Sequence, residues 1–169
     1  MPKLNIQIYQ NLKYILMEAN KMGRYFEDFT EEEVIVHSLS KTIFESDVNL
    51  FSLLTMNSHP VHTNLVYASK EQHQKLLVPG TLVFSLVVGI TVQDISGKAI
   101  ANLGYTNVNH FAPVFIGDTI FARTEILSKR KSNSKPDRGI IVVKTTALNQ
   151  YNKHVLEFER TILIKKAFR

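Results

Sequence analysis

The chain has 169 residues, of which 44% are hydrophobic and 21% are charged, a profile that predicts one globular domain with its own core. The absence of cysteine excludes thiol catalysis, thiolate metal sites and disulfides. The net charge of +5 favours an anionic partner. No zinc finger, basic helix or RNP-type motif accompanies that charge, so we predict no nucleic-acid partner and favour a phosphate-bearing small molecule.

The first residues of the chain are separable from the rest. Four apolar residues in them approximate helical spacing: Ile8, Leu12, Ile15 and Leu16. This pattern predicts a helical N-terminal extension over residues 1–22, followed by one domain over residues 23–169. The extension lacks the apolar core and cleavage site of a signal peptide. The longest apolar run, TLVFSLVVGITV, is also shorter than the roughly 20 residues of a membrane span, so we expect no membrane segment and a cytoplasmic location.

Short elements follow the extension. The segment EVIVHSLSKTIF is rich in β-branched residues and poor in helix formers, which favours extended structure. ESDVNLFSLLTMN then predicts a short helix with Ser46 as its N-cap. The predicted apolar face of that helix comprises Val48, Leu50, Phe51 and Leu54. TNLVYASKEQHQ predicts a second short helix.

The run from Thr81 to Gln93 is ambiguous, because its β-branched residues favour a strand while its length favours a buried helix. We predict a helix that begins after Pro79 and Gly80 and ends before Gly97. Four extended segments follow it: KAIANLGYTNVNHF, DTIFARTEILSKRK, GIIVVKTTALNQ and HVLEFERTILIKK. The alternation of the last segment indicates a strand with one buried face. The sequence therefore predicts an α+β fold in which an antiparallel sheet wraps a long central helix.

The stretch TMNSHPVHTN holds two histidines, His59 and His62, on either side of a proline. A histidine can transfer protons near neutral pH, which makes this loop a candidate catalytic segment. The two histidines could instead form a metal site with His37 or His73. A His-x-x-His broken by proline lacks the helical geometry of known zinc motifs, so we predict no metal. A simple turn is the third interpretation.

Three motifs in the sequence indicate a family. They are ESDVNLFSLLTMNSHPVH, VPGTLVFSLVVG and FAPVFIGDTI. They resemble the catalytic loop, the start of the central helix and a strand start of the MaoC-like dehydratases, which have the hot-dog fold. The stretches ITVQDISGKAIANLGYTNV, SKRKSNSKPDRGI and ALNQ further resemble the branch of mesaconyl-CoA hydratases, also called β-methylmalyl-CoA dehydratases. The resemblance covers roughly Gly23 to Lys166.

The resemblance implies hydration of a trans-2-enoyl-CoA thioester, or the reverse dehydration. It implies a homodimer, or a larger assembly of dimers, with active sites near the subunit interface. Coenzyme A would enter as part of the substrate, and no separate cofactor is implied. Typical hydratases hold the attacking water with an aspartate and a histidine, at positions that match Asn57 and His62 here. A carboxamide cannot accept a proton at ordinary pH, so His62 is implied as the base and Asn57 as a residue that positions water or substrate.

Gly80 matches the family glycine whose backbone N–H points at the thioester oxygen, at a helix N-terminus that favours developing negative charge. We also predict His59, Pro79 and Thr81 as substrate-binding residues, although for His59 a hydrogen bond that stabilises the loop is the favoured interpretation. Two other functions stay open at this stage. One is an acyl-CoA thioesterase on the same fold, and the other is a non-catalytic acyl-CoA binding protein, which Asn57 suggests.

Overall fold

Four long strands build the second half of the chain, and shorter elements precede them. The computed structural model describes Tyr14 and residues 22–167, so the predicted N-terminal helix lies outside the described residues apart from Tyr14. In chain order the elements are a 3-10 turn (Phe26–Asp28), β1 (Val34–Val36), β2 (Lys41–Thr42), α1 (Glu45–Thr55), α2 (Pro60–Thr63), α3 (Leu65–Ala68), α4 (Gly80–Ile90), a π-helical turn (Val92–Ser96), β3 (Ala99–His110), β4 (Thr119–Lys131), β5 (Arg138–Asn149) and β6 (His154–Lys165). The predicted extended segments and the predicted α1 and central helices are confirmed, whereas the helix predicted over residues 63–74 covers only Leu65–Ala68 and α2 was not predicted. The division at residue 22 stays a prediction.

The strands of the described region form one antiparallel sheet. Their order is β1-β4-β5-β6-β3, and β2 also pairs with β4. Along β6, Leu156, Phe158 and Ile162 are buried, because alternate side chains of a strand point to the same face. Strand β3 lies at the edge of this order, and eleven of its twelve residues are exposed. The sheet therefore has one covered face and one long open edge.

The central helix α4 packs on the covered face of the sheet. Val83, Val87 and Ile90 recur at helical spacing, are buried, and share a core cluster with Phe158 of β6. Burial of each such side chain contributes about 1.5–3 kcal/mol to folding, which outweighs the penalty of less than about 1 kcal/mol for a β-branched residue in a helix. The helix continues into the π-helical turn and stops before Gly97, as the sequence predicts.

The start of α1 differs from the prediction. The helix begins at Glu45 with Phe44 as its N-cap, so Ser46 lies within the first turn and is not the cap. Instead, the side chain of Asp47 accepts a hydrogen bond at the N-terminus of the helix. Its Oδ2 accepts hydrogen bonds from the backbone N–H of Phe44 at 2.8 Å and from Nζ of Lys41 at 2.6 Å. The hydrogen bond from Lys41 holds the pKa of the Asp47 carboxyl below its usual value.

The predicted apolar face of α1 is wrong for two of its four residues, while Phe51 is half-buried. Val48 is fully buried, whereas Leu50 and Leu54 are 60% and 75% exposed. Val48 and the buried Ser52 are four residues apart and share one side of the helix, while Leu50 and Leu54 lie on the opposite side. Only a narrow stripe of α1 therefore contacts the core.

Candidate active site

His59 shapes the loop between α1 and α2. It is the N-cap of α2, and its Nδ1 accepts a hydrogen bond from the backbone N–H of Val61 at 3.2 Å. Pro60 occupies the first position of α2, where a missing N–H costs no helical hydrogen bond. The His59 ring lies edge-on to the rings of His62 and Tyr67, with centroids 6.1 and 5.9 Å away. His59 thus stabilises the loop, and its contact with substrate stays a prediction.

His62 is held by the segment that leads into α4. Its Nδ1 lies 2.6 Å from the carbonyl oxygen of Leu77, and the backbone N–H of Leu77 donates to the carbonyl of Val61 at 3.1 Å. A carbonyl only accepts, so we assign the proton to Nδ1 of His62. In the neutral imidazole, Nε2 is then the basic nitrogen. The fold therefore fixes both the orientation and the tautomer that a general base needs.

The N-terminus of α4 lies three residues beyond Leu77. Pro79 is buried and precedes the helix, Gly80 is its first residue, and Thr81 is exposed. A Cβ on Gly80 would lie 3.0 Å from Cε1 and Nε2 of His110, the last residue of β3. A side chain at position 80 would therefore require the His110 ring to move by a few tenths of an ångström. A small electronegative group that reaches Gly80 would meet backbone N–H groups and the positive end of the helix dipole.

A cavity of about 410 Å³ opens at this helix end. Its lining includes Leu77, Gly80, His73 and His110. Leu77 also accepts the hydrogen bond from His62, so the candidate base and the helix N-terminus lie on either side of one short segment. The sequence did not single out His110, and it considered His73 only as a metal ligand. Both reach the cavity through strand pairing and loop packing that no local motif encodes.

Asn57 lies apart from this cavity. It follows Met56, which ends α1 in a left-handed conformation with a φ of 56°, and its backbone N–H donates to Ser52 at 3.0 Å. Asn57 lines a second cavity of about 570 Å³ together with Ser52 and Thr63. The Ser52 hydroxyl is buried there without a hydrogen-bond partner among the described residues. The structure thus ties the His62 ring to Leu77, which lines the cavity together with Gly80, whereas neither His62 nor Asn57 is among the residues that line it.

Comparison with known proteins assigns the family. The MaoC-like domain family matches residues 28–148, which include the loop, the central helix and most of the sheet. The chain belongs to the MaoC-like domain family. A double hot-dog protein from Mycobacterium tuberculosis superposes on 86% of this chain, with 45% of that protein covered, at a TM-score of 0.75 and 23% identity. The predicted hot-dog fold is confirmed.

Some relatives share about a third of their aligned residues with this chain. Over 85% of its length, this chain is 34% identical to a β-methylmalyl-CoA dehydratase of Chloroflexus aurantiacus and to a mesaconyl-CoA hydratase of Cereibacter sphaeroides. It spans only 41% and 42% of those two proteins. A MaoC domain protein dehydratase from Chloroflexus aurantiacus superposes on 88% of this chain with a TM-score of 0.83 at 33% identity, and 42% of that protein is covered.

The three-histidine metal interpretation finds no support in the MaoC-like domain. Nδ1 of His37 lies 2.8 Å from Oδ2 of Asp94, and its Nε2 lies 2.8 Å from the hydroxyl of Thr124. Both nitrogens of His37 are therefore engaged elsewhere. Across residues 22–167, no group of three or more His, Cys, Asp or Glu side chains could hold a metal ion. The same residues contain no helix long and apolar enough to cross a membrane.

Proposed function

We propose that this chain adds water across the 2,3 double bond of a trans-2-enoyl-CoA thioester, or removes it in the reverse reaction. The observation that carries this proposal is the geometry of His62, whose Nδ1 is fixed on Leu77 three residues before Gly80. A base and an oxyanion site on adjoining segments are what hydration of a conjugated thioester requires. The names of the two relatives support the same reaction class.

In this mechanism, Nε2 of His62 takes a proton from water as the water oxygen bonds to the β-carbon. The π electrons move to the thioester oxygen, and the N–H of Gly80 with the helix dipole stabilises the resulting enolate. The enolate then re-forms the carbonyl and takes the proton from His62 at its α-carbon. Water supplies every atom that is added, so the reaction needs no redox cofactor. Coenzyme A enters and leaves as part of the substrate.

The remaining predicted site residues have supporting roles in this proposal. Asn57 orients the water or a polar group of the substrate, since its carboxamide cannot act as a base. His59 keeps the loop in shape through its cap on α2. Pro79 and Thr81 flank the thioester at the start of α4. These residues do not fix the acyl group; a short one is proposed, with branched and dicarboxylic groups among the candidates.

We also propose that two copies of the chain associate through β3. In the described part of the chain this strand pairs only with β6, and a twelve-residue edge leaves backbone groups available for pairing. Its exposed side chains include Ile100, Leu103 and Val108. Because β3 ends at His110, such an interface would border the cavity at Gly80.

Light scattering should give twice the 19.3 kDa of one chain for the wild type and for Leu127→Lys on β4, but not for Leu103→Lys. A wild-type monomer would refute this assembly.

The activity is tested with a panel of enoyl-CoA thioesters. Hydration removes the ultraviolet absorbance of the conjugated thioester and leaves the thioester bond intact. Release of a free thiol, detected with a thiol reagent, would instead indicate a thioesterase. Saturable binding without turnover of any thioester would indicate a binding protein. The cytoplasmic location stays a prediction, which cell fractionation would check.

A further inference from the structure

The ring of His110 lies against the N-terminus of α4. The ring atoms nearest to the position of a Cβ on Gly80 are Cε1 and Nε2, at 3.0 Å, and Cδ2, at 3.5 Å. These three atoms form the Nε2 edge of the imidazole, so this edge faces the helix end and Nδ1 lies farther away. The same ring lines the cavity of about 410 Å³ together with Gly80. The His110 side chain makes no hydrogen bond within residues 22–167, so its Nε2 is available to a ligand.

A bulge in β3 turns His110 toward the helix. Tyr105 on the same strand also faces α4, because its ring lies 5.0 Å from an aromatic ring of that helix. Residues 105 and 110 are an odd number of positions apart and would point to opposite faces of a regular strand. Between Thr106 and Asn109 the register with β6 shifts, and Asn107 there has a left-handed φ of 52°. The extra residue of this bulge returns His110 to the helix side, and bulges commonly re-aim a side chain next to an active site.

The pairing of β3 with β6 anchors the backbone of His110. His110 is the strand partner of the fully buried Leu156. The next residue, Phe111, donates a backbone hydrogen bond to the carbonyl of Val155 at 3.0 Å, and its ring stacks on His154 with centroids 4.2 Å apart. A hydrogen-bond donor that the fold places before the substrate binds stabilises a developing charge with little reorganisation.

A single oxygen atom can accept hydrogen bonds from both Gly80 and His110. A Cβ lies about 2.5 Å from the nitrogen of its own residue, so Nε2 of His110 is at most about 5.5 Å from the backbone nitrogen of Gly80. Two hydrogen bonds of about 2.9 Å that meet at one oxygen span up to about 5.8 Å. The backbone N–H of a first helical residue has no partner within its helix, and an imidazole, neutral or protonated, can carry a proton on Nε2. Both donors can therefore reach one acceptor.

We propose that His110 is a catalytic residue that donates a hydrogen bond from Nε2 to the thioester oxygen, beside the N–H of Gly80. This inference rests on the proposed hydratase function and adds a side-chain donor to its oxyanion site. The hydrogen bond strengthens as the π electrons move onto the oxygen, since a charge-assisted hydrogen bond is about twice as strong as a neutral one. It weakens again when the enolate re-forms the carbonyl. The proton stays on Nε2 throughout, so the balance of the reaction is unchanged.

Two substitutions at position 110 separate a hydrogen-bond donor from a base. His110→Gln keeps an amide N–H that can reach the position of Nε2 but cannot accept a proton, whereas His110→Leu removes the donor. In His110→Leu, kcat for a trans-2-enoyl-CoA should fall by about 100-fold or more while KM changes little. In His110→Gln, kcat should fall by less than about tenfold, because a donor is kept. Unchanged or faster turnover by His110→Leu would overturn the proposal. An equal loss in both variants would also overturn it, since it would indicate a base.

Urea unfolding separates a catalytic role of His110 from a structural one. The side chain is exposed, so neither substitution opens a cavity in the core, and the urea midpoint should stay close to that of the wild type. A loss of kcat that accompanies a large fall in the midpoint would assign a structural role to His110 and overturn the proposal. Should His110→Leu not fold, His110→Phe takes its place, because phenylalanine keeps a ring and has no donor.

The ionisation of bound acetoacetyl-CoA tests the oxyanion site without turnover. The keto form of this thioester has no 2,3 double bond to hydrate, and its enolate has an ultraviolet absorbance of its own. At one pH, the ratio of enolate to keto form should be higher for the thioester bound to the wild type than in free solution. The bound ratio should be about tenfold or more lower in His110→Leu, and close to the wild type in His110→Gln. A wild type that hydrates no thioester but shows this difference would refute the hydratase and retain the donor at His110. Equal bound ratios in the wild type and His110→Leu, or no rise on binding to the wild type, would refute the donor role of His110 alone.

Discussion

Gly80→Ala separates the catalytic role of the helix N-terminus from its role in folding. The added Cβ would lie 3.0 Å from Cε1 and Nε2 of His110, so the ring has to move by a few tenths of an ångström. His110 is exposed, and its ring can move at little cost. Alanine also favours a helix over glycine by about 1 kcal/mol, so the free energy of unfolding should change by no more than about that amount.

The activity of Gly80→Ala should respond differently. The methyl group occupies the space through which a thioester oxygen must approach the backbone N–H, and a displacement of about 1 Å costs about 100-fold in rate. We expect kcat/KM for a trans-2-enoyl-CoA to fall by that factor, measured as loss of enoyl absorbance, while urea unfolding stays close to wild type. Gly89→Ala is the matched control, because Gly89 lies on the same helix and an added Cβ there would meet nothing within 4 Å. Wild-type kcat/KM in Gly80→Ala would refute a thioester oxygen at this position.

Three other variants test the fold and the loop. Asp47→Ala removes the partner of the Phe44 N–H and should destabilise the protein by about 1 kcal/mol in urea unfolding at pH 7. The folded-state pKa of Asp47 is lowered, so the stability that its carboxylate contributes is complete above the unfolded-state pKa of about 3.9 and is lost as the pH falls through the folded-state pKa. The difference in free energy of unfolding between the wild type and Asp47→Ala should therefore be smaller at about pH 2 than at pH 7, and an equal difference would contradict this reasoning. Gly139→Ala would place a Cβ within the ring of Phe26 and should cost about 1–3 kcal/mol of stability, whereas Gly104→Ala meets no neighbour within 4 Å and is the control. Asn57→Ala should lower kcat by less than the loss of His62 does, because a carboxamide transfers no proton; an equal loss would show that Asn57 is indispensable for turnover.

Hydrophobic periodicity and turn residues predicted most of the fold. The alternation along β6 was sufficient to identify a strand with one buried face, and Pro79-Gly80 marked the start of α4 even though its β-branched residues favour a strand. The helix start at Glu45 was missed because serine is a good N-cap residue, which made Ser46 the candidate. In the structure Asp47 instead accepts a hydrogen bond from the backbone N–H of Phe44 at the N-terminus of α1. Ser46 and Asp47 could each cap α1, and the hydrogen bond from Lys41 to Asp47, which the sequence does not reveal, favours Asp47.

The candidate site could be predicted only in part. His62 and Gly80 belong to local motifs, so their positions followed from the sequence. His110 reaches Gly80 because β3 pairs with β6 and returns past the helix end, and no local pattern contains that contact. Outside the candidate site, the buried Arg160 did leave a signal, since it occupies a position of β6 with the same parity as Phe158 and Ile162. A charged residue at an inward position indicates a special role, but its partners can be seen only in the folded chain.

The most direct test of the central claim is turnover of a trans-2-enoyl-CoA by the wild type and by His62→Gln. Glutamine can still donate a hydrogen bond to Leu77 but cannot act as a base, so the loop should keep its shape. His59→Asn, which retains an acceptor for the N–H of Val61, is the matched control. We predict that the wild type and His59→Asn remove the enoyl absorbance without thiol release, and that His62→Gln is at least about 100-fold slower. Undiminished hydration by folded His62→Gln, or thiol release by the wild type, would contradict the account.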